Sequence, residues 1–258
     1  MVSQFCGRMR RKASLLFFFA PMALTLGRGP QHKSPVTERV ALNKGVHGVD
    51  GWLRIVSDTR LTTEMKKRLW GVGWDGLESD DPLRKMLSTK PPVNAKLEIV
   101  DSRGQIIESD QLERPVAEIE GSLLPTSDTF LLTVDYSVGF GSYAGPSTSL
   151  VDVRNGKIIW LKAVDADSHK EEPITLPVTL KSDWKFVSTA GKRDILQVLC
   201  RPDFTGGKND FNVEYVRYRF EDGRWIKFAR TEKDIWESDE GFPSLTKFRR
   251  VPHSSSTL

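Results

Sequence analysis

The densest run of potential ligand atoms in the 258-residue chain is Asp165-Ala166-Asp167-Ser168-His169-Lys170-Glu171-Glu172. Carboxylates at alternate positions can wrap a calcium ion. An EF-type loop, however, needs Gly at its sixth place for the sharp turn, and Lys170 stands there. The run reads as a solvated acidic loop. Two carboxylates that meet in space can also hydrolyse a bond by acid/base work with no local motif. Asp135, Asp152, Asp165 and Asp167 are the candidates for that chemistry, and a carboxylate-dependent hydrolase is the second functional reading.

Other letter patterns fail on context. Gly139-x-Gly141-x-x-Ala144 matches a dinucleotide fingerprint, but that motif needs a helix after the turn, and Pro146 followed by a strand pattern stands there. Gly141-Ser142-Tyr143-Ala144-Gly145 has its serine one place early for a nucleophile elbow. The four histidines, His32, His47, His169 and His253, do not pair at zinc-ligand spacing. No pattern calls for a cofactor or a metal.

Aromatic residues on a Gly-rich loop are the remaining signal. Tyr136, Phe140 and Tyr143 flank or occupy Gly139–Gly145 and are the candidate ligand-binding residues. Loops on a rigid scaffold carry function disproportionately, although most loop aromatics pack. Trp160, Trp184 and Trp225 fall in strand patterns, where core is the default. Non-catalytic binding of a protein or a glycan, or a structural role in the cell envelope, is the first functional reading.

The elements that position these residues are strands. Phe130, Leu132, Val134 and Tyr136 recur at period two, with Leu131 as an apolar exception, which predicts a strand with one buried face. Leu150–Val153 and Ile158–Leu161 flank Asn155-Gly156, a type I′ hairpin signal because both central positions need positive φ. The plan returns 67 positions later: Ile195–Cys200, a Gly-rich stretch at Gly206-Gly207, the long run Phe211–Phe220, an Asp222-Gly223 turn and Trp225–Phe228. In the long run, Phe211, Val213 and Tyr215 share one parity and Val216, Tyr218 and Phe220 the other, which predicts a bulge or strong twist near Tyr215-Val216; the alternative is a strand buried on both faces, against which Arg217 and Arg219 weigh.

Before Lys96 two short helices are expected. Thr62–Trp70 has Thr62 as cap and Gly71 and Gly73 as stops, while Pro82–Leu87 follows an Asp81 cap. The basic run Lys66-Lys67-Arg68 suits a helix C-terminus. Strands are expected at Val49–Val56, Leu97–Ile99, Gln105–Glu108, Val116–Leu124, Ile174–Leu180 and Trp184–Ser188, with Pro177 confining its strand to an edge or a bulge. The fold class is mainly β, antiparallel meander sheets arranged as a sandwich or a propeller-like array, with two short helices near the N-terminus.

The ends frame this domain. Arg8, Arg10, Arg11 and Lys12 precede the apolar run Ala13–Leu26, the pattern of a secretory signal peptide over residues 1–27. Residues 28–48 read as a linker, 49–250 as one mainly-β domain and 251–258 as a disordered tail. The expected location is extracytoplasmic, periplasmic or secreted, with membrane contact only through the export signal or an uncleaved anchor. The formal net charge is +4, and the leader holds four basic and no acidic residues, so the mature chain is near neutral. With no dense Lys/Arg run, nucleic acid is not an expected partner. Cys6 departs with the leader, which leaves Cys200 as a lone thiol in an apolar strand.

Overall fold

The computed structural model describes residues 38–121, 129–139, 141–189, 192–205 and 210–249. The proposed leader, residues 28–37, the tail 251–258, Phe140 and Gly206–Asn209 lie outside the described residues. The chain is mainly β, as the alternation predicts. The described residues form three four-stranded meanders in succession, where the sequence marked two.

The first sheet takes its strands in chain order: β1 (Arg39–Leu42), β2 (Gly51–Val56), β3 (Lys96–Asp101) and β4 (Ile106–Gln111). The second is β5 (Ala117–Gly121), β6 (Phe130–Asp135), β7 (Pro146–Arg154) and β8 (Lys157–Trp160). The chain then crosses into the third sheet as β9 (Lys162–Asp165), turns back as β10 (Glu171–Pro173), and returns to the edge of the second as β11 (Thr175–Pro177). The third meander is β12 (Ser182–Thr189), β13 (Lys192–Pro202), β14 (Phe211–Glu221) and β15 (Arg224–Lys233). One pair departs from the antiparallel expectation: β9 runs parallel to β15, because it arrives by crossing between sheets and not by a hairpin.

The sheets stack face to face through apolar layers. Leu53, Ile55, Leu97 and Ile99 of the first meet Ile119, Phe130, Leu132 and Val151 of the second. On the opposite face of the second, Leu131, Leu150 and Leu176 meet Ile195, Val216, Tyr218 and Trp225 of the third. This corrects the expectation of one buried face for β6. Leu131, the exception to the alternation, is the residue that serves the second interface, and β6 is a middle-layer strand. The far face of the third sheet, including the buried Cys200, is covered by Trp236 and Phe248 of the C-terminal segment.

That covering also corrects the predicted bulge. The β13–β14 and β14–β15 registers run unbroken through Tyr215 and Val216. The parity changes because two different layers cover the strand. Val213 and Tyr215 face Trp236 and Phe248, while Val216 and Tyr218 face the second sheet.

The expected helices are present as α2 (Thr63–Leu69) and α3 (Pro82–Thr89), capped by Thr62 and Asp81, after a short α1 (Lys44–His47). The span read as linker therefore already holds β1 and α1. Lys66 is buried and ion-paired with Glu38, a partner that the helix dipole reading did not foresee. The strand expected over Ile174–Leu180 is the short edge strand β11, which ends at Pro177. No helix of the described residues is long and apolar enough to cross a membrane.

Candidate functional site

Where the first and second sheets diverge they leave an open groove of about 560 Å³. Its floor is the end of β7 and its neighbour β11: Ser147, Ser149 and Thr175, with Ser149 opposite Thr175 in the register. The same face of β7 continues as Val151 and Val153, both buried against the first sheet. One strand face thus changes from hydroxyl to aliphatic at the point where the covering sheet begins, which is why the groove is polar and the core beside it is not.

The end of β4 makes the wall. Gln111 is tied by its amide to the carbonyls of Asn94 (3.0 Å) and Ala95 (3.1 Å). Glu108 and Asp110 reach to β8. Glu108 accepts from the Ile158 amide at 2.9 Å, and Asp110 Oδ2 accepts from Trp160 Nε1 at 3.1 Å. These contacts protect an otherwise open edge and fix the indole, which stands 40% exposed at the groove. Trp160 corrects the expectation of a core residue. Its short strand gives too little alternation to tell the two faces apart. Trp225 is buried as expected, and Trp184 is partly buried beside the same core.

The Gly-rich loop places two aromatics at the other end. Tyr136 and Tyr143 both line the groove, Tyr143 with half its surface exposed. Phe140 lies outside the described residues. The loop is anchored at its base, where the buried Asp135 accepts from the Ser137 amide (3.0 Å), the Ser137 hydroxyl (2.5 Å) and the Gly71 amide (3.0 Å). Burial pushes the Asp135 carboxyl up, and these donors oppose it. Gly139 donates to Asp75 at 3.0 Å, and a Cβ on Gly145 would stand 2.1 Å from the Val178 carbonyl. Glycine at 145 is thus required by close backbone approach. The Tyr136 hydroxyl is raised by burial and then by the Glu113 carboxylate, with Arg114, 5.7 Å from its ring centre, pulling the other way.

The sequence alone singled out Tyr136 and Tyr143 but not the wall and floor. Asp110 and Glu113 come from the first sheet, and Ser147 and Ser149 from the second, so no local spacing links them. Ser147 Oγ is buried and has no hydrogen-bond partner among the described residues.

Of the four aspartates of the hydrolase reading, Asp135, Asp152 and Asp165 have their carboxylates engaged in local contacts. Asp135 holds the loop base. Asp152 accepts from the Val153 amide (2.8 Å) and Arg154 Nε (2.6 Å). Asp165 accepts from the Ser168 amide at 2.7 Å and the Asp167 amide at 3.2 Å; the Ser168 bond holds its carboxyl below the usual range. Asp165 and Asp167 thus share one tight turn, in which His169 has φ 58°. That turn borders a second hollow of about 530 Å³, lined by no Phe, Tyr or Trp among the described residues, between β9 and the β14–β15 turn. Among the described residues no group of three or more His, Cys, Asp or Glu is placed to hold a metal ion.

What the first groove offers is flat aromatic surface at both ends, hydroxyls below and carboxylates beside it. Compared with protein-family models, with curated proteins and with solved structures, the chain has no match.

Proposed function

We propose that the chain is an exported, non-catalytic binding module whose groove takes a glycan. The observation that carries this reading is the placement of Tyr136, Tyr143 and Trp160 around a floor of Ser147, Ser149 and Thr175. Sugar rings present C–H faces that pack on aromatic rings and hydroxyl edges that pair with Ser, Thr and carboxylate oxygens. A groove with a few convergent polar groups and aromatic walls suits such a ligand. Its open shape suits a chain better than an enclosed small molecule. Export rests on the basic and apolar pattern of residues 8–26, and the near-neutral mature charge favours neither nucleic acid nor a membrane surface as partner.

Indole fluorescence titrated with a panel of neutral, basic and acidic oligosaccharides tests the binding. At least one should saturate, and Trp160→Ala should weaken it by about tenfold, the equivalent of ~1.4 kcal/mol. A panel that gives no saturation, or a Trp160→Ala variant that binds every ligand unchanged, overturns the groove assignment. N-terminal sequencing from a secreting host tests export: the mature chain should begin between Thr25 and Arg28, and intact Met1 in the cytosolic fraction would overturn it.

A further inference from the structure

Resting on that reading of the groove, we infer that it selects glycans bearing a protonated amine, that is, amino sugars. The wall contributes two carboxylates, Asp110 and Glu113, and neither is ion-paired among the described residues. By contrast Glu108, two residues before Asp110 on the same strand, faces Lys157, and the buried Asp152 pairs with Arg154. No described residue that lines the groove is Lys, Arg or His. The nearest basic group in sequence, Arg114, is turned over the Tyr136 ring. An ammonium set between Asp110 and Glu113 gains charge-assisted hydrogen bonds. The aromatic faces of Tyr143 and Trp160 add a cation–π attraction. A uronate or a sulfated sugar meets the same wall as like charge.

The cationic groups near the groove on packed elements are Arg114, Lys181, whose charge reaches Tyr143 and which is paired with Glu237, and, beyond Glu108, Lys157; each already has a partner. Asp110 also holds the indole through Oδ2, so one residue orients the stacking platform and supplies charge beside it. A neutral sugar uses only the platform, whereas an amino sugar uses both.

The test titrates the full chain at pH 6 with a glucosamine tetramer, its N-acetylated counterpart and a galacturonate tetramer. The glucosamine tetramer should bind at least tenfold more tightly than the acetylated one, with the galacturonate weakest. The preference should shrink as salt rises, since it is electrostatic. In Asp110→Asn and in Glu113→Gln, each checked for native circular dichroism, the glucosamine tetramer and its N-acetylated counterpart should approach equal affinity. An acetylated or acidic tetramer that binds as well as the amine overturns the inference and leaves the groove reading standing, as does a preference retained in both variants. Failure of all three tetramers to bind removes both.

Discussion

The β6–β8 and β13–β15 meanders share a plan and differ in what covers them. Each is a strand, a Gly-rich connection, a long strand, a two-residue turn and a return. In both turns the residue before Gly also has positive φ: 51° at Asn155 and at Asp222, followed by 72° at Gly156 and 78° at Gly223. Yet on the groove side β7 shows Ser147 and Ser149, whereas the outer face of β13 and β14 shows Leu196, Val198, Val213 and Tyr215 under Trp236 and Phe248. The lesson is that the face pattern of a strand reports its lid and not its meander. A covered face is apolar, and an uncovered one on the same backbone plan turns to hydroxyls and becomes available to a ligand.

Buried charge divides the two regions in the same way. Beyond the aromatic lid, Asp194 on β13 is fully buried and its oxygens accept from Arg217 Nε (2.8 Å) and from Arg219 Nε (2.9 Å) and Nη2 (3.0 Å). Removing the carboxylate strands two guanidiniums that are mostly covered. Asp194→Ala should therefore cost about 3–5 kcal/mol, read as a fall in the urea midpoint with an unchanged slope. A loss below about 1 kcal/mol would mean that the pairs are no more than surface ion pairs, and the contrast with the open groove would weaken.

The opposite case is Glu118 on β5, near Glu120 and Asp135. Burial first, then those two acids, push its carboxyl up to about 7 from 4.5. The folded protein then keeps a proton between about pH 4.5 and 7 that the unfolded chain has released. Stability on this account is full below pH 4.5 and is lost as pH rises through 7. Glu118→Gln should match the parent near pH 4 and exceed it near pH 8 by on the order of 2 kcal/mol, allowing for partial exposure. Equal melting temperatures for the two proteins at both pH values would show that Glu118 is not held in its acid form.

How much of this could be read in the residues follows from range. Period-two alternation marked β6, and the Asn-Gly and Asp-Gly pairs marked both turns, because those signals live within four to eight residues. Helix caps at Thr62 and Asp81 are equally local. Leu131 was visible as an anomaly, and for the parity switch at Tyr215-Val216 burial on both faces stood only as the alternative to a bulge, since the covering layers are a second sheet and a C-terminal lid far along the chain. Asp194 and its arginines are 23 and 25 residues apart, and they meet only through the β13–β14 register. The groove was half legible: its loop aromatics stand together in sequence, while Asp110, Ser147 and Trp160 come from different strands.

The paired turns sharpen the comparison further. A side chain at Gly156 is strained by its φ and would also meet Val49 Cγ2 at 3.0 Å and Ile107 Cγ2 at 3.4 Å, because α1 packs on that turn and His47 accepts from the Gly156 amide. At Gly223 the strain is similar but no atom lies within 4 Å. Gly223→Val should cost about 1 kcal/mol and Gly156→Val about 1 kcal/mol more. Equal losses in thermal unfolding would show that the crowding relaxes without cost.

The smallest effect bears most directly on the groove. The Ser147 hydroxyl is buried without a partner among the described residues, while Thr148, next along the strand on the opposite face, shares a 2.8 Å hydrogen bond with Thr133. Leaving a buried hydroxyl unpaired is unfavourable, so deleting it should not destabilise the free protein. Ser147→Ala should be neutral or more stable by up to about 1 kcal/mol. Thr148→Val removes one partner of a made bond and should cost about 1 kcal/mol. An orphaned hydroxyl in a covered core would be a plain defect. At the floor of a groove it is a donor that a small rotation can offer to an arriving ligand. If that is its use, Ser147→Ala should weaken oligosaccharide binding by roughly threefold to tenfold while leaving or raising stability. A Ser147→Ala protein that loses stability has an internal partner for that hydroxyl, and the floor is then core and not site.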